Sequence, residues 1–288
     1  MSPTLEQGRP DCQGTESAYS RGMAMNVVYG AIALAMLVPV AALRLRARDD
    51  RDATFWAGVA LAILGPAGWA AAQLWGAWHT GFAVSLWLTI AVTTVLFAGL
   101  SIATRQGWRL TPILVPYLVG LGVLALIWQR APERPIAGTV PAGWFETHIV
   151  LGLVTYGLLT LAAVAGVAVF LQEHALKTKR PTALTRRLPA VAESERLQVA
   201  LLAASELILV LGLASGMAAE YFERGRLLVF DHKTTLSVAA FVAIGLLLTA
   251  HVLTGVRGQQ AARGILLAYL LLTLAYPGVK FVTDVLMG

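Results

Sequence analysis

Apolar residues run along this chain in long blocks, and polar ones gather in the short gaps between them. Eight blocks stand out, at roughly 25–43, 54–75, 82–103, 110–128, 147–171, 197–218, 234–255 and 262–282. Each is close to the ~20 residues that a helix needs to cross a bilayer core. Backbone amides immersed in hydrocarbon have to pair within their own segment, so each block predicts a transmembrane α-helix. The expected fold is all-α: a polytopic membrane protein built as a single bundle of eight transmembrane helices over residues 25–288. Residues 1–24 (MSPTLEQGRPDCQGTESAYSRGMA) are polar and read as a disordered tail, or as an over-extended start ahead of Met23 or Met25. The tail lacks the basic start and apolar run of a cleavable signal.

Charge in the gaps orients the bundle. Arg44, Arg46, Arg48, Arg51, Arg105, Arg109, Lys177, Lys179, Arg180, Arg186, Arg187, Arg196, Arg257 and Arg263 fall on one side, making 14 cations. The other side holds 8: Arg9, Arg21, Arg130, Arg134, Arg224, Arg226, Lys233 and Lys280. Cytoplasmic loops carry the excess of Lys and Arg, so the richer side is expected inside and both termini outside.

Composition narrows the class further. Hydrophobic residues are 57% of the chain and charged ones 13%, and mean hydropathy is +0.70; soluble domains carry about 25% charged residues. The pI of 9.8 does not point to nucleic acid, because the cations flank membrane ends rather than covering a foldable basic face. Cys12 is the only cysteine, which excludes an intrachain disulfide, a CxxC redox pair and a thiolate metal cluster.

Polar residues held at membrane depth cost free energy, and that is where chemistry is sought. His79 (in LWGAWHTGF), His148 (in GWFETHIVLG) and His232 (in VFDHKTTLS) are all expected at the outer face. His251 lies 19 residues beyond His232 in the same span, ~28 Å deeper at about 1.5 Å per residue. His174 closes the preceding inner end, in LQEHALK. Imidazole suits haem iron and proton relay alike, and a histidine at a helix end is equally read as a wetted interfacial side chain. His251, among apolar neighbours, needs a cavity or a partner such as a backbone carbonyl. Glu206 sits within the sixth span and is expected to face the bundle interior, as a proton or cation site or as a helix–helix hydrogen bond. Gly65-Pro66 interrupts the second span, where a proline breaks the amide ladder. Trp75, Trp78, Trp144, Phe145, Tyr221 and Phe222 mark the outer boundary, as a lipid-interface belt or as a shelf for a flat macrocycle.

The order of features from Trp144 onward carries a resemblance. An outer-mouth His148 opens a helix that ends in LQEHALK, and a basic loop with RRLPAVAESERL follows. Next come a helix ending in LASG, an outer loop, FDHKTTLS, a helix ending near His251, GVRGQQAA, and a last helix with AYPGVKFV. This order, over about half the chain, resembles the cytochrome c assembly (CcsA-type) family of haem-handling membrane proteins. The resemblance implies that His148 matches the family's first external axial haem ligand and His251 a transmembrane one. Asp231 and Lys233 match the core of the family's tryptophan-aspartate-proline-lysine-glutamate motif, with His232 in place of proline. The family's second external histidine would fall past Gly288, and its other transmembrane histidine belongs to a partner subunit or fused domain. The outer loop reads MAAEYFERGRLLVFDHK, without the tryptophans of the family's haem platform. That departure looks closer to the shorter HemX-like and YpjD-like subgroup and argues against presentation of haem to apocytochrome by a platform.

His148 and His251 are expected near opposite faces and therefore cannot be the two axial ligands of one iron. An outer haem would pair His148 with His79 or His232; an inner one would pair His251 with His174 or with another subunit. The expected role is haem handling in a bacterial inner membrane during cytochrome c biogenesis or tetrapyrrole metabolism, without a catalytic constellation. The alternatives are a non-haem accessory or regulatory subunit of another membrane complex, and a small transporter using Glu206.

Overall fold

The computed structural model describes residues 25–42, 51–74, 79–129, 134–135, 142–226 and 231–286. The expected tail, Cys12, Trp75, Trp78 and most of the first basic loop lie outside the described residues. Among the described residues eight main helices follow one another: α1 (Met25–Val40, interrupted at Met36 and Leu37), α2 (Ala53–Leu74), α3 (Phe82–Ala103), α4 (Thr111–Ile127), α5 (Ala142–Thr178), α6 (Val191–Arg224), α7 (His232–Thr254) and α8 (Gly258–Thr273). Seven of them are long and apolar enough to cross a membrane, and α1 is a shorter apolar helix. The chain is a multi-pass, all-helical membrane protein.

Two local departures from the expected pattern have physical causes. The first apolar block does not form one unbroken helix: it turns at Met36 and Leu37, and a short helix resumes at Val38–Ala42. Pro39 lacks an amide hydrogen, and its ring clashes with the carbonyl four residues back, which breaks the ladder at that point. The second departure is length. α5 and α6 run to 37 and 34 residues, because the helical pattern continues beyond the apolar blocks at both ends. α2, by contrast, continues through Pro66. At Gly65 a Cβ would stand 2.8 Å from Met36 Cβ and 3.0 Å from the Ala33 carbonyl, so the missing side chain lets α1 cross close against α2. The last helix passes Pro277 in π-helical turns (Leu274–Gly278 and Val282–Leu286), which absorb the lost amide.

α5 is the axis of the bundle. Over the apolar 18-residue stretch of α5 78% of residues are buried, against 11% over that of α7, which lies on the outside. Around α5 gather α6, α8, α3 and α4, with α7 lying against α6 and α8. Trp87, Tyr156, Phe97 and Ile90 are among the largest fully buried side chains. The β-structure among the described residues is a two-residue antiparallel ladder, His79 opposite Pro135 and Thr80 opposite Arg134, which ties two loops together.

Candidate functional site

His148 stands one and a half turns into α5, half-buried against the C-terminal end of α6. Its Nδ1 lies 2.8 Å from Ser215 Oγ. One turn earlier on α5, the Trp144 indole donates to the Ser215 carbonyl at 3.0 Å. The ring rests on bare backbone: a Cβ on Gly216 would stand 3.0 Å from His148 Cε1. α6 therefore presents a small, polar surface to the imidazole, and Ser215 binds both aromatic residues. The Lys233 ammonium at the start of α7 acts electrostatically on the same ring. Its neighbour His232 is exposed. Asp231 is the N-cap of α7, accepting the Thr234 amide at 2.7 Å. A capping carboxylate of this kind stabilises a helix by about 1 kcal/mol. His79 lies on the ladder described above; its side chain is outside the described residues. The structure thus brings His148, His232 and Lys233 to one end of the bundle.

His251 lies at the other end. α7 carries His232 and His251 near opposite termini, so the shared-iron arrangement of His148 with His251 is excluded by the fold. His251 Nδ1 is 3.0 Å from the Val256 carbonyl. A carbonyl only accepts, so Nδ1 carries the proton and Nε2 keeps its lone pair. His174 is exposed and stacks on Phe170 at 6.5 Å with a 9° interplanar angle. Neighbouring polar residues of this end act as fasteners. Gln172 Nε2 donates to the carbonyls of Thr185 at 2.9 Å and Pro189 at 3.0 Å. Glu195 accepts the Gly258 amide at 2.8 Å, where an anion also complements the α8 N-terminus.

Glu206, expected to face the bundle interior, lies at the seam between α6 and the peripheral α7. Its Oε1 lies 3.2 Å from the place a Cβ on Gly245 would occupy. Its Oε2 is buried and makes no hydrogen bond among the described residues. A polar cluster that the sequence reading passed over lies deeper. The hydroxyls of Tyr117, Tyr156 and Tyr269 bond to one another, and Tyr156 also meets Thr273 Oγ1 at 3.2 Å. This cluster joins α4, α5 and α8 at the core. Nothing in the spacing of single tyrosines along three separate spans reveals it.

Comparison with known proteins decides the family. The Cytochrome C assembly protein model matches residues 69–287. The chain belongs to the cytochrome c assembly protein family. The match reaches back to Trp69, far ahead of Trp144, where the order of motifs first shows the likeness. An uncharacterized 28.8 kDa protein of Azospirillum brasilense is 54% identical, covering 92% of this chain and all of that one. Protein HemX of Brevibacillus brevis is 23% identical over 68% of this chain and 73% of its own length. Inner membrane protein YpjD of Escherichia coli K12 is 25% identical over 72% and 74%. No solved structure matches.

The residues fit what a haem iron requires of protein. Among the described residues no group of three or more His, Cys, Asp or Glu is arranged to hold a metal ion, so iron held here would rely on one or two axial nitrogens. His148 and His251 each have Nδ1 engaged in a hydrogen bond, the arrangement that fixes an imidazole ligand and frees Nε2.

Proposed function

We propose that this protein binds haem or a closely related tetrapyrrole at the outer face of a bacterial inner membrane and assists its handling during cytochrome c assembly. The observation that carries this reading is the His148 imidazole, anchored through Nδ1 at the outer end of the α5–α6 seam in a chain of this family. When bound, the tetrapyrrole supplies an iron that takes axial nitrogen ligands. His148 Nε2 would provide one such nitrogen, and His79 or His232 the other. Lys233, exposed beside His148, would pair with a carboxylate side chain of the ligand. Asp231 would fix the start of α7, which carries His232 and Lys233. Trp144, bonded to the Ser215 carbonyl one turn from His148, would help wall the site. At the inner face His251, with His174 or a partner subunit, would provide a separate site. The protein binds and passes on its ligand rather than making or breaking bonds.

The test is absorbance in the Soret region of protein expressed with ample haem and purified. A Soret band lost or shifted in His148→Ala and unchanged in His174→Ala is expected. Protein with no Soret band would overturn the reading in favour of an accessory subunit of another membrane complex. A second reading, a small transporter, has one observation in its favour: the buried Glu206 oxygen without a hydrogen-bond partner among the described residues. That reading requires uptake that fails in Glu206→Gln.

A further inference from the structure

We propose that Ser215 is a positioning residue: it sets the tautomer and the plane of the His148 ring, so that Nε2 is the unprotonated, ligand-ready nitrogen. The proposal deepens the outer-haem reading and rests on it for its functional consequence. Ser215 has a single hydroxyl proton, and its Oγ lies 2.8 Å from the Gly212 carbonyl, one turn back on α6. The hydroxyl donates to that carbonyl, which can only accept, and this places its proton on the Gly212 side. The same Oγ lies 2.8 Å from His148 Nδ1 and has only lone pairs left to offer. Nδ1 therefore donates, and a neutral imidazole, with one ring proton, keeps its lone pair on Nε2.

A serine bonded to a carbonyl of its own helix is ordinary. What is specific here is the use of its remaining lone pair by a residue 67 positions away, on a helix face cleared by Gly216. Trp144, bonded to the carbonyl of the same Ser215, holds the α5 turn in register with it. In water a neutral histidine populates both tautomers. Only the Nδ1–H form can ligate through Nε2 without losing a proton, and the anchored Nδ1 also limits rotation of the ring. Orienting hydrogen bonds of this kind govern ligand affinity by roughly 10–100-fold.

The experiment uses full-length, haem-free protein in nanodiscs, labelled with ring ¹⁵N histidine and recorded at alkaline pH, with the His148 signals assigned by their loss in His148→Ala. Wild type is expected to show His148 as the Nδ1–H tautomer, Ser215→Ala a mixture, and Ser215→Thr, which restores a hydroxyl, the Nδ1–H form again. Haem titration should then show Ser215→Ala with a roughly 10–100-fold higher Kd and Ser215→Thr close to wild type. An Nε2–H signal for His148 in wild type overturns the proposal, and so does an unmixed Nδ1–H signal in Ser215→Ala. The wild-type measurement needs no variant and stands even if Ser215→Ala fails to fold. Expected nitrogen signals together with no haem binding by wild type would overturn the outer-haem reading and leave the tautomer assignment in place.

Discussion

A carboxylate within a transmembrane helix finds room only where a neighbouring helix gives way, and Glu206 finds it at Gly245. With Oε1 3.2 Å from the missing Cβ, any side chain at position 245 has to displace the acid or separate α6 from α7. Gly245→Val should therefore lower thermal stability in detergent by about 1–3 kcal/mol, the usual penalty of overpacking. Glu206→Ala in the same protein should recover most of that loss. Strictly additive effects in the four-protein cycle would show that the two positions do not couple. The presence of an acid at this depth was legible from the sequence, because charge in an apolar block is rare. Its partner was not, because a glycine in a membrane helix carries no mark of what it accommodates. Ser215 is a similar case: inside LASG it reads as a small residue, and only the approach of α5 gives its oxygen a task.

At the scale of elements, the segments whose order resembles the family turn out to meet in space. LQEHALK and the RRLPAVAESERL loop are joined where Gln172 binds the Thr185 and Pro189 carbonyls. The end of that loop reaches GVRGQQAA through Glu195 and the Gly258 amide. Gly258 has φ +62°, a conformation that costs an L-residue roughly 1–2 kcal/mol. The Glu173 carboxylate also occupies the space a Cβ would need. Gly258→Ala should destabilise the N-terminal end of α8 and raise trypsin cleavage at Lys177 and Lys179, whereas Gly255→Ala, also at positive φ but in open space, should do so less. Equal sensitivity of the two variants would mean that backbone strain alone matters and that the Glu173 contact does not. The sequence shows these segments only as a linear succession. Their joining depends on side chain-to-backbone bonds across loops, which no helical periodicity encodes.

For the whole molecule, the sidedness of the bundle is the property most open to a direct test. The 14-to-8 distribution of cations predicts both termini outside and the loops at 44–53, 104–109, 176–196 and 256–263 inside. In a Cys12→Ser background, a cysteine at Ser2 should react with an impermeant maleimide from outside, and one at Ala183 only after the membrane is opened. Reaction of both from the same side would invert or break the topology. The result also bears on function, since His148, His232 and Lys233 share one end of the bundle and the proposed outer site requires that end to face outward.

By itself the sequence determined that the chain spans the membrane repeatedly, where nearly every span lies, and which histidines lie near which end. These are local properties, set by apolar length and by the repeating rise of a helix. The order of motifs also determined the family. Only the tertiary structure decided that α5 is the axis and α7 the periphery, that Asp231 caps a helix, that His251 answers to the Val256 carbonyl, and that three tyrosines from separate spans share one hydrogen-bonded cluster. It also decided that His148 is held by Ser215. Such pairings join residues far apart along the chain. In a bilayer the hydrophobic effect does little to choose which apolar helix meets which, so the choice falls to close fits at small residues and to single polar contacts, and those exist only once the helices have met.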